Sequence, residues 1–306
     1  MAFQLKPNER VGEGITRNVK SQIEKALNHL SVKNPRQDAM LENEMAGETR
    51  KCFKRVRAAL RMAREELGDE RYHEENLCFR DAARPLTEVR DAHILVETVE
   101  RLRRHFPSAM EPGVFDTIRA ALVKNQREVS GRVIERGKAL ATVKNVATRA
   151  LARIEEWKLQ RESWGTLESG VHRVYRAGRR ALLRASENPS VQNLHELRKQ
   201  AKYLWHALQL VEASLTGDEK ELVGEMHELS TTLGEDHDLA VLRQTLAADP
   251  LNFGGQRALK GVLAAIDHYR EELERQALSL ARQIYEDSPK DFAGRIAPAP
   301  HCEAVK

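Results

Sequence analysis

Three observations predict an all-α protein. Apolar residues recur with a helical period near 3.6 along almost the whole chain. Alternating apolar–polar stretches and the Asn-Gly or Asp-Gly pairs of tight hairpins are absent. Only 17 glycines and 10 prolines occur in 306 residues, so little of the chain is punctuated by turn chemistry. The periodicity places helices at about 12–30, 39–67, 74–105, 112–160, 165–186, 190–214, 218–247 and 255–287. The first is closed off by Asn34-Pro35. The third stops at Phe106-Pro107, and the fourth opens at Pro112-Gly113. Asn188-Pro189 separates the fifth from the sixth, and Asp249-Pro250 ends the seventh. Beyond Pro289, a tail ending near Ala-Pro-Ala-Pro-His is expected to be loosely structured.

The chain also repeats itself. Leu86-Thr-Glu-Val-Arg-Asp-Ala-His-Ile-Leu95 aligns with Leu233-Gly-Glu-Asp-His-Asp-Leu-Ala-Val-Leu242 at an offset of 147, which sets Arg90 opposite His237 and Asp91 opposite Asp238. Arg50-Lys51-x-x-Lys54 aligns with Arg198-Lys199-x-x-Lys202 at 148, and Gly14-x-x-Arg17-x-x-Lys20 with Gly170-x-x-Arg173-x-x-Arg176 at 156. Three matches in one order predict two pseudo-symmetric four-helix halves, residues 1–150 and 151–306, packed as one compact helical domain.

Charge is unevenly spread. The chain carries only +4 overall, yet residues 50–64 hold seven basic side chains and no acid. Residues 168–210 hold eight basic side chains, three acids and three histidines. Together these stretches carry +12 and leave −8 for everything else. On a helix, Arg50, Lys54, Arg57, Arg61 and Arg64 share a strip about 80° wide and about 21 Å long. Five like charges in line repel one another, and no glutamate is interleaved, so an anionic partner is indicated. The second half repeats the device with His195, Lys199, Lys202 and His206 in one strip, Arg198 beside it. On the preceding helix His172, Arg176 and Arg179 are aligned, with Arg173 and Arg180 adjacent. Asn193 and Glu196 have capping-box spacing, which would put His195 in a first helical turn; Ser190 is the rival cap and would set His195 one turn deeper. If the basic helices face one another, the acidic remainder forms the outer surface.

A line of mixed Arg and Lys suits a chain of phosphates, because Arg donates bidentately and Lys acts as a point charge. Base recognition is less well supported. Of 15 aromatic residues, only Phe53, Tyr175, Tyr203 and Trp205 lie in the basic stretches. No Walker A loop, G-x-G-x-x-G or EF-hand loop occurs. His195-Glu196 begins like a zinc-protease motif, but the second histidine it needs is Lys199. Glu235-Asp236-His237-Asp238 lacks identifiable further ligands, and Asp91 and Asp238 are better placed to orient Arg or His side chains. Cys52, Cys78 and Cys302 are odd in number and far apart, which offers neither a disulfide framework nor a zinc ribbon. No metal or cofactor is expected. The start, MAFQLKPNERVGEG, has no apolar signal region and no run reaches the roughly 18 apolar residues of a membrane span. The expected location is the cytoplasm, with polyphosphate or other storage granules as an extension.

At these residues the chain resembles the CHAD family of histidine-containing α-helical domains. Leu194-His-Glu-Leu-Arg-Lys-Gln-Ala-Lys-Tyr-Leu204 is similar to that family's H-x-x-R-[K/x]-x-x-K/R-x-L helix, and Leu233 to Leu242 to its L-G-x-x-[RH]-D helix. Leu86 to Leu95 resembles a first-half copy of the latter, and Ser288-Pro-Lys-Asp-Phe-Ala-Gly-Arg295 a family ending. The resemblance covers nearly the whole chain. It implies a helical bundle whose inner basic helices line a groove or pore that binds inorganic polyphosphate. His195, Arg198, Lys199 and Lys202 would form the second-half face, His172, Arg173 and Arg176 its neighbour, and Arg50, Lys51 and Lys54 the first-half face. With the strips and repeats above, the candidate binding set also takes in Arg17, Lys20, Arg57, Arg61, Arg90, Arg179, Arg180, His206 and His237. Gly47 stands where the first half should carry its histidine, Thr16 replaces the partner of His172, and Trp205 stands where arginine is typical. Some members are fused to a triphosphate-tunnel phosphatase domain; none is seen here, so catalysis is not implied. The expected function is non-enzymatic polyphosphate binding. The alternatives are metal-dependent phosphoanhydride or phosphodiester hydrolysis by His/Asp clusters, and an adaptor for acidic proteins or nucleic acid.

Overall fold

Apolar periodicity becomes helix almost throughout the computed structural model, which describes residues 3–6, 9–31, 39–108, 111–135, 138–157, 159, 165–215 and 217–297. Among these residues there are eleven α-helices and no strand: α1 (Val11–His29), α2 (Ala39–Met62), α3 (Arg64–Leu67), α4 (Asp69–His105), α5 (Pro112–Ser130), α6 (Ala139–Ile154), α7 (Gly165–Glu187), α8 (Val191–Val211), α9 (Asp218–Ala248), α10 (Gln256–Ile284) and α11 (Pro289–Arg295). No helix among them is long and apolar enough to cross a membrane. The break expected at Asn34-Pro35 lies outside the described residues.

Three boundaries differ from the expectation. The stretch 39–67 is two helices, because Ala63 leaves helical geometry and the chain turns at Gly68 with φ +77°, a conformation that favours glycine. The stretch 112–160 is also divided: α5 gives way to a π-turn at Gly131–Glu135 before α6 begins. The part of the tail at 289–295 is helical rather than loose. Ser288 caps α11 by accepting from the Asp291 amide at 3.2 Å, Pro289 occupies the first turn, and fully buried Phe292 stacks on Tyr175 at 3.8 Å. Residues 298–306 lie outside the description.

Four long helices occupy the middle. Helix α2 packs on α4 and α8, α8 on α9, and α4 on α9, while α1 and α7 cover α2 and α8, and α5 and α10 cover α4 and α9. The helices that the repeat aligns thus pack in the same succession. Their apolar stripes explain the order. On α2, Phe53, Val56 and Leu60 are at most 1% exposed, and Phe53 meets Phe79 of α4 with ring centroids 5.4 Å apart. Burial of each such side chain contributes about 1.5–3 kcal/mol. One apolar cluster joins α1, α2, α6, α7, α8 and α11 to the first parts of α4 and α9 and the end of α10; the other joins the later part of α4 and of α9 to α5 and the rest of α10. Each draws on residues from both sides of position 150. The repeated glycine marks a close approach rather than a ligand contact. A Cβ at Gly170 would lie 3.0 Å from the Met62 backbone, and one at Gly14 would strike the Leu5 side chain at 2.5 Å.

Candidate functional site

The buried stripe of α2 leaves its basic strip turned toward α8. Between them lies a cavity of about 340 Å³ lined by Arg50, Lys54, Arg57 and Arg61 from α2, Thr87 and Asp91 from α4, His195, Arg198, Lys199, Lys202, Tyr203 and His206 from α8, and His237 from α9. Seven cationic side chains face one carboxylate, Asp91. A second cavity of about 440 Å³ shares Arg50, Lys54, Arg198 and Lys202 with the first. It adds Lys51 and Arg55 from α2, Arg90 and Arg101 from α4, Trp205 from α8, and His227, Glu235 and Asp238 from α9. The two strips read from the sequence are therefore walls of one cation-lined space.

Positive charge there is left largely uncompensated by the protein. Among the described residues neither Lys54 nor Lys202 has an ion-pair or hydrogen-bond partner. Lys54 is exposed, yet desolvation by the surrounding protein, together with Lys202, Arg50 and Arg198, holds its ammonium well below the ordinary lysine range. Burial, then Arg198, lowers Lys202 to about 8. Arg50 and Arg198 are also pushed down by burial. Their counter-charges are distant: Arg50 lies 3.9 Å from Asp91 and Arg198 3.9 Å from Asp238, two pairs the repeat makes equivalent. Burial raises both carboxyls. The Nε atoms of Arg55, Arg101 and Arg198 are buried without a partner, a costly state for a donor. The Arg198 guanidinium lies against Gly234, where a Cβ would make only ordinary van der Waals contact with it at 3.6 Å.

Burial favours the neutral form of His195, His206 and His237. His195 Nδ1 and His237 Nδ1 are 3.2 Å apart, so one nitrogen donates and the other accepts. Burial, then Arg198, lowers both, His237 to about 4. The first half meets the same position with different side chains. Gly47, equivalent to His195, has the Cδ of Arg90, equivalent to His237, 4.0 Å from where its Cβ would be. A long side chain from α4 thus replaces a pair of imidazoles. His206 is 7% exposed, bonded to Gln209 at 3.0 Å, and lowered by burial to about 4. The folded state binds fewer protons than the unfolded chain between about pH 4 and 6.5, so stability falls as pH drops through that window. His206 alone accounts for a loss on the order of 3 kcal/mol. Urea midpoints at pH 7 and 4.5 should converge for His206→Gln relative to wild type; equal losses in both proteins would remove His206 from this account.

Other candidates are placed differently. Ser190, not Asn193, caps α8: its Oγ accepts from the Asn193 amide at 3.3 Å. His195 is therefore one turn inside the helix, without free amides to hold an anion. Lys199 is bonded to Glu196 at 2.5 Å and Lys51 to Glu48 at 2.7 Å, both at the rim. Arg57 donates to Asn76 at 2.9 Å, Arg61 lies 3.6 Å above the Tyr203 ring, and Arg90 pairs with Glu97 at 3.1 Å. The α1 and α7 candidates do not line the two cavities. Arg17 pairs with Glu9 at 2.5 Å and Lys20 with Glu155 at 3.0 Å, beside a separate hollow on α1. On α7, Arg173 donates to the Arg61 carbonyl and pairs with Glu65, and Arg179 donates to the Asp287 carbonyl at 2.8 Å. His172 is half-buried, while Arg176 and Arg180 are exposed. This face of α7 also anchors the C-terminal helix, with Tyr175 donating to the Ile284 carbonyl at 3.0 Å.

The acidic run of α9 diverges. Asp236 accepts from Arg270 at 2.8 Å, Glu235 from Tyr269 at 3.2 Å, and Asp238 turns to Arg198. Among the described residues no three His, Cys, Asp or Glu side chains are grouped to hold a metal. Sequence reasoning missed Arg55, Arg101, Thr87 and His227 as lining residues. Arg55 lay in the basic run but off its strip. Arg101 and His227 had no distinguishing signal, because only the approach of α4 and α9 brings them in.

Comparison with known proteins agrees with this fold. The CHAD domain family matches residues 21–247. A solved structure, the crystal structure of the CHAD domain from the plant Ricinus communis, shares the fold with a TM-score of 0.59 at 14% identity, over 94% of this chain and 95% of that one. No curated protein matches. A family match over most of the chain, on the helices that carry the repeated basic motifs, means that the chain belongs to the CHAD-domain family.

Proposed function

We propose that this chain is a non-enzymatic binding module for inorganic polyphosphate, which it captures between α2 and α8. The observation that carries the reading is the pair of facing strips, seven cations to one carboxylate in a single cavity. Such a wall is costly while empty and becomes favourable when a polyanion neutralises it. Two guanidiniums offer bidentate donation and two ammoniums offer mobile point charges, a set suited to successive phosphates rather than one. The histidines, neutral at pH 7, donate hydrogen bonds rather than act as bases, and each central carboxylate lies beside an arginine. The same reading puts the protein in the cytoplasm, at polyphosphate or other storage granules.

Titration with long-chain polyphosphate at two ionic strengths tests it. By analogy with counterion release, affinity should fall at least tenfold between about 50 and 200 mM salt. Absence of binding at the lower salt would overturn the proposal. RNA at equal phosphate concentration should compete poorly, and equal competition would favour the adaptor alternative. Phosphate release during the incubation, together with metal found by elemental analysis of dialysed protein, would favour the hydrolase.

A further inference from the structure

We propose that the second cavity is a subsite for a nucleoside polyphosphate, with the base against Trp205 and the phosphates on Arg198 and Lys202. The inference rests on the phosphate-binding reading of the shared cations and names a second ligand class for them. Along α8, Arg198, Lys202 and Trp205 follow the i, i+4, i+7 spacing of one helical face, and all three line this cavity. The strip thus runs from two cations to an indole over about 10 Å.

The facing wall repeats that order. Helix α9 presents His227, then Ser230 and Thr231, then Gly234, where the Arg198 guanidinium lies close to the helix. His227 meets the Trp205 ring edge-on, with centroids 4.6 Å apart, so both walls are aromatic at the same end. Hydroxyls follow where a ribose would lie, and cations follow those. A plain phosphate chain has no use for the aromatic end. Trp205 also stacks on His206, with centroids 4.9 Å apart, whereas Tyr203, at the first cavity, is covered by Arg61 at 3.6 Å.

Isothermal titration with ATP and with inorganic tripolyphosphate, both without divalent cations, tests the assignment. The two ligands carry three phosphates each, and ATP has one fewer ionisable oxygen, so a tighter binding of ATP reads the nucleoside. ATP should bind about tenfold more tightly, in the range of a base stacked on an aromatic side chain. Trp205→Ala should bring ATP down to the level of tripolyphosphate and leave tripolyphosphate unchanged. Trp205→Phe should keep part of the preference. Equal affinity of the two ligands for wild-type protein, a measurement needing no variant, would overturn the subsite, as would parallel losses of both ligands in Trp205→Ala. If long-chain polyphosphate binds and ATP has no advantage, only this inference fails. If no phosphate ligand binds at low salt, the underlying function fails.

Discussion

Replacing Lys54 and Lys202 together by glutamate is expected to weaken binding of long-chain polyphosphate by at least about 100-fold and to raise the stability of the empty protein. Both effects have one cause. The two ammoniums share a cavity with Arg50 and Arg198 and have no partner of their own among the described residues. At about 5 Å and an effective dielectric near 20, one unit charge acts on another by about 3 kcal/mol. Reversal turns two phosphate attractions into repulsions, and even strong screening by cavity water leaves more than the 2.7 kcal/mol that 100-fold requires. In the empty protein the same reversal replaces repulsion among four cations by attraction. Fluorescence anisotropy with labelled polyphosphate and urea unfolding read the two quantities. Lys290→Glu, at an exposed position of α11, should change binding less than twofold. A double variant that binds normally, or one that loses binding only because its unfolding midpoint collapses, would remove the central lysines from the site. This opposition of stability and binding is the usual mark of a functional arrangement.

The second large effect is on pH. Lys202 is lowered to about 8 by burial and by Arg198, and Lys54 is also lowered, by desolvation and by Lys202, Arg50 and Arg198, while Asp238 and Asp91 act in the opposite direction on the two. A bound polyanion favours the charged ammonium, so binding draws protons onto these lysines. The sign follows directly: affinity should fall as pH rises from about 7 to 9.5, by roughly tenfold per proton per pH unit once past the pKa of the free group. In the empty protein, stability should rise over the interval between 8 and the ordinary lysine value, because there the unfolded chain holds protons that the folded state has lost. Calorimetry at pH 8 in Tris and in HEPES, whose ionisation enthalpies differ, should report net proton uptake on binding. Lys202→Arg should reduce that uptake while retaining affinity at high pH. Identical binding enthalpies in both buffers would show that the lysines are already fully charged in the empty cavity.

How far the site was legible depended on the kind of signal each residue carried. Arg50, Lys54, Arg57 and Arg61 declared themselves by helical spacing and by the lack of interleaved acids, and they line the first cavity as that spacing implied. His195, Lys199, Lys202 and His206 did likewise. The basic face of α7 carried an equally regular spacing, yet Arg173 and Arg179 are spent on backbone carbonyls at 61 and 287. Periodicity shows that charges share a face; it does not show what that face meets. Capping was ambiguous for a similar reason, since Ser190 and Asn193 both had suitable side chains, and the turn after Asn188-Pro189 selected Ser190.

The sequence by itself determined the helices, the repeat and the gathering of positive charge into α2 and α8, because those properties follow from local spacing and from which residues can enter a core. Only the tertiary structure decided that the two basic strips face each other across one cavity. It also decided that Asp91 and Asp238 stop short of neutralising their arginines, and that Arg55, Arg101 and His227 arrive from unmarked positions. Those outcomes depend on how α4 and α9 pack against α2 and α8. That packing is set by burial of the opposite, apolar faces of the helices, so the direction in which the charges point is a consequence of the core rather than of the charges themselves.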